Sequence, residues 1–226
     1  MSNDRREFLG ALAGAGLVFG GKTARRENGR SFTFTRPSVL PPAVWDVSWT
    51  AKVSGAHRAV FDSPEVSEGL ALLRTLVWIK DYGEVYGAAS ADMSAVVVLR
   101  HNAIWMVMND EFWAHHGVGA ITKINDPKTK LPIKRNPFLG PTPFADLPPQ
   151  VADHVLTKVL GVATVLACNL AFQDVVEKVK GPAGGDEAKA RAMALEHLIP
   201  GIILQPSGVF AVLRAQQAGC SYLFAS

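Results

Sequence analysis

A single-domain α/β fold, with a mostly parallel sheet and helices on both faces, is what this sequence predicts, and three observations predict it. The runs "MSAVVVLRH" (93–101) and "GVATVLACN" (161–169) are apolar without alternation, the pattern of strands buried on both faces of a parallel sheet. Segments of helical period lie between the strand-like runs, and strands alternating with helices imply a parallel arrangement. No internal repeat is present, and the chain is long enough to bury one real core.

The elements follow in order. "HRAVFDS" (57–63) has an apolar Ala59-Val60-Phe61 centre and stops at an Asp-Ser-Pro breaker, which suits a short strand. Ser63 or Ser67 is then expected to cap a helix in which Val66, Leu70, Leu73 and Val77 recur at helical spacing. The second strand runs through the β-branched stretch and stops at His101-Asn102. "MNDEFWAHHG" predicts a short helix opened by Asn109 or Asp110 and closed by Gly117. Residues 119–149 are rich in Pro, Lys and Asn and lack a period, so they are expected to form a lid, an oligomer contact or an insertion. A helix from about Pro149 to Leu160 leads to the third strand, ending at Cys168-Asn169, and "LAFQDVVEKV" continues as helix to the "GPAGGD" break. A helix over 187–198 ends before Pro200. The tail predicts a strand over 202–204, a turn capped by Ser207, a helix over 209–218, and a last strand over 220–224.

The ends of the chain differ in character. In "NDRREFLGALAGAGLVFGG" five glycines lie between Gly10 and Gly21, each costing a helix about 1 kcal/mol relative to Ala, so the stretch is not built to pack in a core. Its apolar run is shorter than the roughly 20 residues of a membrane span and has the length of a signal-peptide core. The Arg5-Arg6-x-Phe8-Leu9 pattern resembles a twin-arginine export signal. We therefore divide the chain into a signal at about 1–24, an extended arm at 25–54 with Pro37, Pro41 and Pro42, and an α/β domain at 55–226. A periplasmic or otherwise exported protein is expected. Loss of the signal removes three basic and two acidic residues and lowers the formal charge from +3 to +2, too small a surplus to argue for nucleic acid.

Ligands of open α/β sheets gather beyond the carboxyl ends of the strands, and three such ends carry chemistry: Asp62-Ser63, His101-Asn102 and Cys168-Asn169. A cysteine between a strand and a helix faces the helix N-terminus, whose dipole and free N–H groups favour thiolate. Cys168 is thus the candidate nucleophile, with a buried free thiol as its other reading, and Cys220 reads as packing. The two could pair in an oxidising compartment, although a chain this long needs no staple. His101 could bind a ligand, act as acid or base, or be satisfied by backbone at a strand end. His115 and His116 lack close ligand spacing, so no metal is predicted, and no cofactor-binding signature is present.

The segment order, with "VVVLRH", "LACN" and the closing "PSGVFAVLRAQQAGCSYLFA", resembles the DsrE/DsrF-like sulfur-relay superfamily, in particular its exported twin-arginine members, over about residues 57–226. The resemblance implies a DsrE-like sheet and a persulfide carried on Cys168, hence a sulfurtransferase or sulfur carrier. It also implies a small sulfur-containing ligand or an acceptor thiol protein as partner, and a homo-oligomer; the strand-end reading makes His101, Asn102, Asn169 and Asp62 the expected ligand-binding residues around Cys168. The apolar stretch "NAIWMVMNDEFW" (102–113) holds more large side chains than one short helix buries alone, which also suggests self-association. The competing expectation is a non-enzymatic small-ligand or metal-binding module, or an assembly subunit, with Cys168 merely buried.

Overall fold

The computed structural model describes residues 45–144 and 153–226. The stretch expected to be an export signal, with Arg5, Arg6, Phe8 and Leu9, the expected arm up to Val44, and residues 145–152 lie outside them. Five strands form one sheet in the order β4-β3-β2-β1-β5, every neighbouring pair parallel: β1 His57–Ser63, β2 Met93–Leu99, β3 Ala163–Cys168, β4 Ile203–Gln205 and β5 Ser221–Phe224. The predicted α/β class is therefore the observed one. Seven α-helices among the described residues accompany the sheet: α1 Leu70–Tyr86, α2 Asp110–His116, α3 Val118–Thr122, α4 Val155–Leu160, α5 Asn169–Lys180, α6 Glu187–Glu196 and α7 Gly208–Gln217.

Strand alternation splits the core in two. Phe61, Ala95, Val97, Leu99, Val165 and Ala167 face one side, where they meet Leu72, Leu156, Phe172, Val175 and Val176 from α1, α4 and α5. Val60, Val96, Val98 and Leu166 face the other, where Ala211 and Ala215 of α7 cover them together with Trp49. Burial on both faces is why β2 carries no polar alternation. The chain steps outward from β1 to β4 across one face, and α7 then crosses the opposite face to lay β5 beside β1.

Several boundaries differ from expectation for identifiable reasons. Order begins before His57: a 3-10 helix at Ser48–Lys52 packs the fully buried Trp49 on the α7 face, so residues 45–54 are not an extended arm. Neither Ser63 nor Ser67 caps α1. The Ser63 hydroxyl donates to the Glu65 carbonyl, and the cap is Gly69 in the left-handed region at φ 79°. Gly69 is needed there twice over, because a Cβ would also lie 2.7 Å from the Phe138 ring. Helix α1 buries Ala71, Leu72 and Thr75 rather than the Leu73 and Val77 side, and Val77 is exposed. Its sequence is apolar on more than one face, so period alone did not choose the right one. Strand β2 ends at Leu99, and His101–Val107 is a 3-10 helix.

Helix α2 begins as expected, with the Asn109 side chain accepting from the Phe112 N–H, and ends at Gly117 with φ 64°. Residues 103–108, Phe112 and Trp113 are all buried within this chain's own core, so this stretch is not a spare surface for a second copy. The described part of the expected lid, up to Phe144, is packed at its two ends, with residues 127–132 exposed between them. Helix α3 occupies its start, Asn125 bridges to Pro132, and Ile133 and Phe138 are buried. Asn136 fixes it: fully buried, its Nδ2 donates to the Met106 and Met108 carbonyls at 2.8 and 2.7 Å, and its Oδ1 accepts from the Phe138 N–H at 3.0 Å. The side chain supplies hydrogen bonds that a periodic element would otherwise provide.

Candidate functional site

All five strands point their carboxyl ends to one rim. Ser63 pairs with Leu99, Leu99 with Ala167, and Cys168 with Gln205, so Arg100 and Cys168 each stand one residue past a paired position on neighbouring strands, while Asp62, paired with Val98 and Phe224, lies two residues below Arg100.

Cys168 is the last residue of β3 and the N-cap of the twelve-residue α5, and its Sγ accepts the Ala171 N–H at 3.4 Å. A sulfur in that position receives an otherwise unpaired helix donor and the positive end of the helix dipole, both of which favour thiolate. The thiol is free and 6% exposed. Strand β2 places Arg100 beside it, near enough for the two charges to interact.

Arg100 is held by Asp62. Its Nε donates to Oδ1 at 2.7 Å and its Nη2 to Oδ2 at 3.0 Å, a bidentate pair with a carboxylate that is almost fully buried, while the Tyr222 hydroxyl from β5 donates to the same Oδ2 at 3.0 Å. The hydrogen bonds to Asp62 raise the Arg100 pKa above its ordinary value, with smaller Coulombic contributions from Asp62, Tyr222 and Cys168 acting against desolvation. Gly208, first residue of α7, completes the wall: a Cβ there would stand 2.5 Å from Arg100 Cδ and 2.8 Å from its Cβ. Ser207 caps that helix by accepting the Phe210 N–H, as its sequence predicts.

The other expected site residues group elsewhere. His101 is exposed, with φ 49°, an uncommon backbone for a side chain of this size. Its charge acts on Asp174 of α5, whose pKa is raised by desolvation and lowered in part by that imidazole. Asn102 donates to Glu65 Oε2 at 2.7 Å and, with Glu65, Trp105 and Lys123, lines a cleft of about 430 Å³. Trp105 and Asp174 line a second cleft of about 380 Å³ next to it. Asn169 accepts a hydrogen bond from the Arg191 guanidinium, which lies over the Phe172 ring at 5.6 Å. The structure thus joins Asp62 to Arg100, which is level with Cys168, and it binds Asn102 and Asn169 to Glu65 and Arg191 instead.

Cys220 belongs to the α7-side core, and burial pushes its thiol up to about 11. No disulfide joins it to Cys168. His115 and His116 pack against each other, and His116 against Phe112. Among the described residues no three His, Cys, Asp or Glu side chains are placed to hold a metal ion, and no helix is long and apolar enough to cross a membrane.

Sequence reasoning missed Arg100, Tyr222 and Gly208. A signal for the first existed: an arginine follows the apolar run of the second strand, and an aspartate stands near the end of the strand before it, two residues past Val60 as Arg100 is two past Val98. The chain matches no family model and no curated protein.

Proposed function

We propose that this is an exported α/β protein that binds or relays a small sulfur species as a persulfide on Cys168. The observation that carries the proposal is the N-cap position of Cys168 on α5, with the Ala171 N–H on its sulfur and Arg100 alongside. Cys220 is equally buried but follows the C-terminal end of α7 instead of capping a helix, and burial raises its thiol to about 11, so the helix N-terminus favours Cys168 as the reactive one. The resemblance to the DsrE/DsrF-like superfamily points the same way.

The chemistry balances with a thiosulfate-class donor. Cys168 thiolate attacks the outer sulfane sulfur; the new Sγ–S bond forms as the old S–S bond breaks, and sulfite leaves with the electron pair. An acceptor thiolate then attacks the outer sulfur of the persulfide and returns Cys168 to thiolate. No net oxidant or reductant is needed in either step.

Intact-protein and peptide mass spectrometry after incubation with thiosulfate or polysulfide tests this. One added sulfur on the Cys168 peptide, absent in Cys168→Ser and retained in Cys220→Ser, is the expected result. Sulfur that persists in Cys168→Ser overturns the assignment, and a native Cys168 inert to thiol reagents favours the module in which it is only buried. Export is tested by exchanging Arg5 and Arg6 for Lys, which keeps the charge but loses the planar guanidinium fork: folded protein should stay in the cytoplasm, and unchanged export refutes the twin-arginine route. Self-association would have to use surface other than the buried residues 103–108, Phe112 and Trp113, and sedimentation as a monomer removes it.

A further inference from the structure

We infer that Arg100 makes this site selective for anionic sulfur donors, its unpaired guanidinium edge receiving the negative leaving group at the rim where Cys168 attacks. The inference rests on the relay reading above and adds the class of donor to it.

The geometry supports it in three steps. First, a guanidinium carries five N–H donors in a rigid plane. Asp62 occupies the Nε and Nη2 side, whereas Nη1 has no hydrogen-bond partner among the described residues and reaches solvent. Second, that free edge cannot swing away cheaply. Turning it would strand the buried Asp62 carboxylate, which Tyr222 also holds, and Gly208 leaves no slack against the Arg100 stem. A donor group fixed before the ligand arrives loses little freedom on binding, which is the advantage of arginine over lysine for oxyanions. Third, the register of β2 and β3 sets Arg100 one residue past the Leu99–Ala167 pair, level with Cys168 on the next strand, and the two side chains are near enough for their charges to interact, so an anion on the guanidinium is brought to the rim where the sulfur stands.

A neutral organic polysulfide needs no such group. A sulfonate does, because its charge must be held while it departs as sulfite. Asp62 cancels much of the formal charge, so selection depends on directed N–H groups more than on net field.

The test compares alkylation of Cys168 in the full chain by iodoacetate and by iodoacetamide, with the modified peptide read by mass spectrometry. Both reagents consume the same thiolate, so a change in sulfur activation cancels in the ratio and anion recognition does not. Parent protein should favour iodoacetate relative to a small free thiol, and Arg100→Gln should lower the ratio by about tenfold. Arg100→Lys should fall between, having the charge without the fork. Sulfite should protect parent Cys168 from iodoacetamide, a readout that needs no variant to fold. A ratio unchanged by Arg100→Gln, or absence of sulfite protection, overturns the inference. If the ratio depends on Arg100 but thiosulfate adds no sulfur, the relay reading falls and the anion site stands. If Cys168 resists both reagents in the parent, both fall.

Discussion

Helix propensity and packing give opposite signs for Gly208→Ala, so the substitution tests the architecture of the rim. Gly208 opens α7 and does not have a positive φ, so Ala is conformationally allowed. Propensity alone would then stabilise the helix by up to about 1 kcal/mol. The new methyl, however, would stand 2.5 Å from Arg100 Cδ, 3.1 Å from Cγ and 2.8 Å from Cβ. The last is not the far end of a flexible chain. Overpacking of this kind costs about 1–3 kcal/mol, and relief requires the arginine stem to move. Moving it breaks the pair with Asp62, whose side chain is 5% exposed against 25% for Arg100. Breaking a fully buried pair costs about 3–5 kcal/mol; solvent at the arginine end reduces that to about 1–2. The balance is a net loss of about 2–3 kcal/mol. Urea unfolding followed by far-UV circular dichroism measures it, and Arg100→Gly provides the decisive background. There the clash is gone, so Gly208→Ala should be neutral or stabilising. Stabilisation by Gly208→Ala in the parent, or an equal loss in both backgrounds, would refute the reasoning.

Three further outcomes are expected. Asn136→Ala should cost about 3 kcal/mol or more in the same assay, since it orphans two buried carbonyls and one N–H together; a loss under 1 kcal/mol would mean that the segment after α3 is not pinned there. Trp49→Ala should cost about 3–5 kcal/mol, because the indole is fully buried on the α7 face; a neutral result would show that residues 45–53 do not belong to the folded domain. For Cys220, a thiol at about 11 in the fold against 9.0 ordinarily means that the folded state keeps its proton longer than the unfolded one. That contribution is fully present below pH 9.0 and is lost as pH rises through about 11. Urea midpoints across this window should fall less steeply in Cys220→Ala, and identical alkaline slopes would remove the claim.

The fold was legible where burial leaves an unambiguous mark. Strands β1, β2 and β3 reveal themselves through apolar runs without alternation, and α2 and α7 through Asn109 and Ser207 at their caps and Gly117 at the end of α2. What stayed hidden depends on contacts between segments distant in sequence. Nothing local shows that Trp49 will seat on the far face of the sheet. Nor does anything local show that Asn136 will hold the two distant carbonyls of Met106 and Met108, because a lone Asn among prolines looks like any loop. Helix α1 failed differently: with Leu70, Leu73, Leu76 and Val77 all present, its period fits two faces, and packing against β1 and β2 makes the choice.

The site was half legible for a related reason. Strand-end logic found Cys168 and Asp62 because each stands directly before a break, but it treated every strand end as an independent contributor to one pocket. In a twisted, covered sheet the residues beyond a strand turn toward whichever layer receives the chain. His101 and Asn102 enter a 3-10 helix on the α5 side, and Asn169 enters α5 itself, where Arg191 binds it. Asp62 and Arg100 keep strand alternation and follow Val60 and Val98 onto the α7 side. Parity along the strand, applied one residue past its end, would have paired the aspartate with the arginine before any coordinates were known. Parity fails for the thiol itself: Leu166 shares the side of Val98, but Cys168, two residues on, caps α5 and turns its sulfur to the α5-side core, so only the register, not alternation, brings it next to Arg100.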